Sequence, residues 1–172
     1  EHEREFVEIA RQRLPDARIF QGDYRDFNLG MTFDVVTCLF SAIGYAGSVE
    51  NLNQAVASMA KHLNPGGILV VEPWFFPGQF HVGYIGVTTY DSPDLKISRM
   101  NTSRIENGAS IMDMHHLVGT PEEVHHFVET HALSLYTREQ YEESFARAAL
   151  TVDFVEPGLI GRGLFIGQLR AS

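Results

Sequence analysis

A chain of 172 residues that is 44% hydrophobic and 20% charged has the balance of about one globular domain, which excludes a disordered or fibrous protein. Thirteen basic against 22 acidic residues leave a formal charge of −9, so neither nucleic acid nor an acidic membrane is an expected partner. The single cysteine, Cys38, excludes an intrachain disulfide and a four-thiolate zinc site, and without a leader-like or long apolar run the chain is expected to be soluble and cytoplasmic.

Residues 3–14 place Phe6, Ile9, Ala10 and Leu14 at helical spacing, and Pro15 stops the run. Residues 17–20 read as a short extended piece leading into Gln21–Phe27. Residues 33–40 (FDVVTCLF) are nearly continuous apolar β-formers, the pattern of a strand buried on both faces. Residues 49–63 are amphipathic, with Leu52, Val56, Met59, Ala60 and Leu63 on one face, and Asn64-Pro65-Gly66-Gly67 is expected to end that helix in a turn. Residues 67–71 (GILVV) make a second buried strand. Strand–helix–strand with apolar strands predicts an α/β fold with a parallel sheet.

The second half changes character. Residues 83–90, 95–106, 109–118 and 123–136 read as extended segments, with Asn107-Gly108 as a hairpin turn and 119–122 as another. They are expected to form an antiparallel insert, residues 78–136, after the parallel strands. Residues 137–149 read as a helix with Thr137 as N-cap and Gln140 at the capping-box position. Residues 151–156 and 163–169 close the chain as a strand pair. All 172 residues read as a single domain.

In an open parallel sheet, ligands sit beyond the carboxyl ends of the strands. Three segments qualify: Asp23-Tyr24, Leu39–Tyr45 and Glu72–Phe76. The small residues of Ser41-Ala42-Ile43-Gly44-Tyr45 let a ligand approach the backbone. Pro73-Trp74-Phe75-Phe76-Pro77 reads as a rigid aromatic rim holding the only tryptophan. Gly22-Asp23 suits an adenine, whose exocyclic amine needs an acceptor while Tyr24 and Phe40 supply ring contacts; the same dipeptide is equally an ordinary turn. Arg162 lies between two glycines before a strand, where its backbone can approach a ligand.

Five phrases carry a resemblance: RQRLPDA at 11–17, QGDYRDF at 21–27, LFSAIGY at 39–45, VEPWFFP at 71–77 and GRGLF at 161–165. Together they resemble the dTDP-amino-sugar N,N-dimethyltransferases, which finish the dimethylamino sugars (desosamine, mycaminose and relatives) of macrolide-type antibiotics. The likeness runs from about residue 6 to 169. It implies a class I, Rossmann-like methyltransferase sheet whose N-terminal strands and glycine-rich cofactor loop are absent from this chain. It implies S-adenosylmethionine as cofactor, against Gly22, Asp23, Tyr24, Leu39 and Phe40. It implies a small-molecule substrate, a dTDP-amino sugar, against Trp74, Phe75, Phe76, Arg99, His115 and Arg162, with Tyr45 and Glu72 steering the acceptor amine. A homodimer is expected. Ile160, Thr102 and Phe75 depart from the family's small polar residue, histidine and second tryptophan, which points to the same reaction on a different or looser acceptor pocket.

Five histidines, His115, His116, His125, His126 and His131, fall on two strands joined by a turn, and cross-strand pairing is expected to bring His116 beside His126. No metal is expected there, because no cysteine or well-spaced carboxylate accompanies them and adjacent strand residues face opposite ways. By the resemblance, His115, His126 and His131 line or support the sugar site. Two other readings stay open: methylation of another small amine, or an inactive fragment that associates through an exposed sheet edge.

Overall fold

The computed structural model describes residues 1–170. Among these, helix α1 is Arg4–Arg13, strand β1 is Phe33–Cys38, a 3-10 helix spans Ala42–Ala46, and α2 is Val49–Ala60. Strand β2 is Leu63–Val71, followed by β3 (Gly86–Asp91), β4 (Lys96–Glu106), β5 (Ala109–Gly119) and β6 (Val124–Ser134). Helix α3 (Arg138–Arg147) and the strands β7 (Leu150–Val155) and β8 (Leu164–Leu169) complete the chain.

Two sheets result, one with order β1-β2-β8-β7 and one with order β3-β4-β5-β6. In the first, β1 and β2 are parallel, as the apolar strand–helix–strand pattern requires, while β8 runs antiparallel to β2 and β7. The second is an antiparallel flap. Residues 17–20 are irregular rather than a strand.

Helix α2 buries Leu52, Val56, Met59 and Ala60 against β2, the face the sequence marks. Ser48 caps it by accepting from the Asn51 amide at 3.1 Å. It stops at Ala60, earlier than the apolar run, and β2 then begins at Leu63 rather than Gly67. The proline-glycine pair is a bulge within β2, because the register jumps from Phe33↔Leu63 to Val35↔Ile68. Helix α3 carries the capping box: Gln140 N donates to Thr137 Oγ1 at 3.2 Å, and Thr137 N to Gln140 Oε1 at 2.9 Å.

An aromatic cluster holds the first sheet to α3. Phe165 is fully buried, stacked at 4.7 Å on Tyr141 and flanked by Phe154, Phe76 and Phe145. Two expectations fail at the other edge. Strand β1 is not buried on both faces: it is an edge strand, and Val35 is 53% exposed. In α1 only Val7 is buried, while Phe6, Ile9 and Leu14 meet no covering layer among the described residues.

Candidate active site

Strands β1 and β2 end side by side, with Cys38 paired to Val71. Because β8 is antiparallel to β2 and Val71 faces Phe165, the segment entering β8 reaches the same end of the sheet. Three loops therefore meet there: 39–41, 72–76 and 161–163.

Glu72 organises the first two. Its amide donates to Cys38 O at 2.9 Å, and its carboxylate Oε2 accepts from Phe40 N at 2.7 Å. Phe40 and Ser41 both have left-handed backbones, φ +55° and +57°, which costs non-glycine residues roughly 1–3 kcal/mol each. Bonds from the loop's own atoms offset that strain: Ser41 Oγ donates to Pro73 O at 2.6 Å and accepts from Arg162 Nη1 at 2.8 Å. Glu72 is 1% exposed, and its Oε1 has no hydrogen-bond partner. Burial beneath the loop gives Glu72 the place of an anchor, where the sequence led to the expectation that it steers the amine. What the anchor presents is the side chain of Phe40, 83% exposed beside the exposed Leu39.

Arg162 is the second organiser. Its guanidinium lies over Trp74 at 4.3 Å and Phe75 at 4.9 Å, two cation–π contacts. Burial pulls its pKa down from the ordinary arginine value, and the Glu72 charge works in the opposite direction. The next residue, Gly163, has φ +81°, and an added Cβ would stand 2.1 Å from the Phe154 ring, so the turn out of Arg162 takes only glycine.

The flap supplies a third wall. Trp74 Nε1 donates to Ser110 Oγ at 2.8 Å, and Ser110 Oγ donates to Leu133 O at 3.1 Å. A Cβ on Gly44 would crowd both Leu133 and Trp74 at 3.1–3.2 Å, so glycine lets the 3-10 helix wedge between them. Tyr45, from that helix, has its hydroxyl 2.7 Å from His131 Nδ1. Directly paired residues share a face of a sheet. The face that meets Trp74 and Tyr45 therefore carries Ser110, Met112, Met114 and His116, with Leu133, His131, Glu129 and Phe127 beside them.

The structure thus brings the loops of Leu39, Phe40, Tyr45, Trp74, Phe75 and Arg162 together at one end of the sheet, against the root of the flap. Tyr24 lies half-buried against the same core, its hydroxyl pushed up to about 12 by burial with Cys38 and Tyr136 nearby. Gly22 is exposed, and its amide donates to Glu1 O. Asp23 is engaged by Arg25, whose Nε bonds both carboxylate oxygens at 2.9 Å and holds the pKa at about 2.

The remaining predicted residues are spread over the loop and the flap. Phe76 is no rim residue; it turns inward, edge-on to Tyr141, Phe154 and Phe165. Arg99 is exposed, opposite His116, on the crevice-facing side of the flap but well out along β4. His115 sits on the reverse face, as does His126, because strand residues alternate. His116 does not meet His126: it lies opposite Phe127 and stacks on it at 4.7 Å, while His115 stacks on His126 at 5.4 Å. The sequence marks Ser41 only as one of the small residues of its segment and does not mark Ser110 or Glu129, since a serine or a strand glutamate carries no hydrogen-bond signal until its partner is known.

A crevice beyond the ends of parallel strands, on a sheet closed by an antiparallel hairpin, defines the Rossmann-like methyltransferase architecture. A family model for a methyltransferase domain matches residues 1–67. The chain is 43% identical over 159 residues to a dTDP-3-amino-3,4,6-trideoxy-α-D-glucopyranose N,N-dimethyltransferase of Streptomyces venezuelae, covering 92% of this chain and 67% of the relative. It is 42% identical over 164 residues to a dTDP-3-amino-3,6-dideoxy-α-D-glucopyranose N,N-dimethyltransferase of Streptomyces fradiae, covering 95% and 64%. Among solved structures, S-adenosylmethionine-bound CalS10, an amino pentose methyltransferase of Micromonospora echinaspora involved in calicheamicin biosynthesis, superposes with TM-score 0.88 at 40% identity over 98% of this chain and 71% of that one. The chain belongs to the dTDP-amino-sugar N,N-dimethyltransferase family of S-adenosylmethionine-dependent methyltransferases. It spans 64–67% of the length of the two curated relatives.

Proposed function

We propose that this chain forms the acceptor side of an N-methyltransferase that uses S-adenosylmethionine to methylate the amine of a nucleotide-linked deoxyamino sugar. The observation that carries the reading is Arg162, bonded to Ser41 and set over the Trp74 and Phe75 rings at the mouth of the crevice. One hydrogen bond and two ring faces hold the guanidinium in place and leave donors for a ligand anion such as a diphosphate.

The crevice fits the cofactor's nucleoside on an observation of its own: Leu39 and Phe40 offer exposed apolar surface at the strand end, with Tyr24 packed on the core nearby. These residues would hold it, and when bound it supplies a methyl group already activated on a sulfonium. The chain's own task is then alignment, worth about 7–11 kcal/mol in favourable cases, and keeping the acceptor amine neutral. Tyr45 offers the polar group nearest that task, its hydroxyl held by His131.

The same proposal includes a cytoplasmic enzyme of antibiotic biosynthesis, by analogy with the calicheamicin protein. No helix among the described residues is long and apolar enough to cross a membrane. A homodimer has support in the exposed cross-strand row Val87, Met100, His115 and Val128 on the flap's reverse face, which is apolar at every position but His115. That residues 1–170 form one domain has support in the bonds joining flap to sheet, Trp74–Ser110 and Tyr45–His131.

Calorimetric titration with dTDP tests the acceptor assignment. Arg162→Ala should weaken binding about 10- to 100-fold, the loss of one or two charge-assisted hydrogen bonds. An unchanged affinity removes the nucleotide-sugar acceptor and leaves another small amine.

A further inference from the structure

Four titratable side chains stand in line on the crevice-facing side of the flap. Tyr45 Oη is 2.7 Å from His131 Nδ1. On the far side of that ring, His131 Nε2 is 4.0 Å from Glu129 Oε2, and the same oxygen is 3.0 Å from His116 Nε2. Glu129 and His131 are two apart on β6, so the pleat turns both the same way. The line starts at half-buried Tyr45, whose phenol is pushed up by burial and by the Glu129 charge. It ends at the Glu129 carboxylate, whose side chain is 54% exposed.

The direction of the hydrogen bond follows from the tautomer. With the proton of the His131 ring on Nε2, on the side of Glu129, Nδ1 is free to accept from the Tyr45 hydroxyl at 2.7 Å. Tyr45 then keeps its oxygen lone pairs for a donor in the crevice. The donor that an N-methyltransferase must handle there is an ammonium, because an amino sugar arrives protonated and cannot attack until it loses a proton.

We propose that Tyr45, His131 and Glu129 form a proton path that takes one proton from the acceptor ammonium to solvent for each methyl group added; this rests on the N-methyltransferase reading above. The ammonium N–H bond breaks as its proton moves to Tyr45 Oη, and the Tyr45 O–H bond breaks as that proton moves to His131 Nδ1. The amine keeps the electron pair, Tyr45 stays neutral, and His131 becomes an imidazolium beside Glu129. The imidazolium then loses a proton to water at that exposed carboxylate. Tyr45 is the member that touches substrate; His131 and Glu129 act through it.

A strut that only pins the flap to the 3-10 helix would show the same distances, so the test reads protonation. The probe is dTDP-3-amino-3,6-dideoxy-α-D-glucopyranose, with its 3-hydroxy analogue as control. The ¹⁵N shifts of His131 are followed by NMR from pH 5.5 to 9. The amine is expected to move the His131 titration midpoint by about half a pH unit or more, the hydroxyl analogue to leave it, and Tyr45→Phe to abolish the movement. In turnover, His131→Gln should lower kcat about 100-fold with KM within about twofold, and push the acid limb of the pH–rate profile upward. Glu129→Gln should do the same more weakly, which covers the case in which the histidine variant folds poorly. A His131 midpoint indifferent to the amine, or a wild-type pH profile in His131→Gln, overturns the path. If the probe is bound and methylated while His131 is silent, the path alone fails; if the probe does not bind at all, the acceptor reading fails with it.

Discussion

The two sheets use similar residues in opposite ways. The mixed sheet β1-β2-β8-β7 keeps its central strands under α2, α3 and the aromatic cluster, so Leu69, Val71 and Phe165 are fully buried. The antiparallel flap is as apolar in places, yet Leu117, Phe127 and Val128 stand exposed, and only its root is buried, at Ser103, Ser110, Ile111, Leu133 and Ser134. Hydrophobic burial therefore holds the first sheet, whereas cross-strand bonding and a few contacts at the root hold the second. The crevice forms where the two meet. A rigid platform positions Arg162 and Trp74, and the flap contributes side chains whose value lies in what they face rather than in what they bury.

The sharpest way to break that contrast is to remove one phenylalanine from each sheet. Phe165→Ala should cost about 3–5 kcal/mol in urea unfolding, because a fully buried ring leaves a cavity among four other aromatic rings. Phe127→Ala should cost less than about 1 kcal/mol, since its ring is 45% exposed. Equal costs would mean that the flap is part of the core.

A smaller effect sharpens the account of the junction. Glu72→Ala deprives the Phe40 amide of its acceptor and should destabilise by about 1–3 kcal/mol, while Glu72→Gln, which keeps a carbonyl there, should recover most of it. If the glutamine variant folds normally yet is inactive, Glu72 has a chemical role that burial argues against.

The smallest effect concerns Asp23. Its folded pKa of about 2 lies below the model-peptide value of 3.8, so its ion pair adds stability above about pH 4 that is lost as pH falls toward 2. The pair is at the surface, so only a small loss of Tm is expected for Asp23→Asn at pH 6, and the two proteins should converge near pH 2. A gap that persists at pH 2 would assign the effect to something other than charge.

Much of the architecture was legible because it is local. The Thr137–Gln140 capping box and the Asn107-Gly108 hairpin are built as the residues demand, the latter with both residues at positive φ. Side-chain direction was harder to read. The turn at 120–123 pairs Gly119 with Val124, and one residue of slip separates that register from the one that would join His116 to His126. Phe76 shows the same limit: two prolines and two aromatic neighbours mark a shaped loop, but not which ring turns into the core.

By itself the chain's order of residues determined the α/β class, the boundaries of most elements, the phrases of its family and the neighbourhood of the crevice, because caps, turns and apolar periodicity act over a few residues. Only the tertiary structure decided that Glu72 is buried beneath Phe40, that Ser41 receives Arg162, and that His131 meets Tyr45. Those contacts join residues 32, 121 and 86 positions apart, and a bond between distant residues exists only once packing has brought them within about 3 Å.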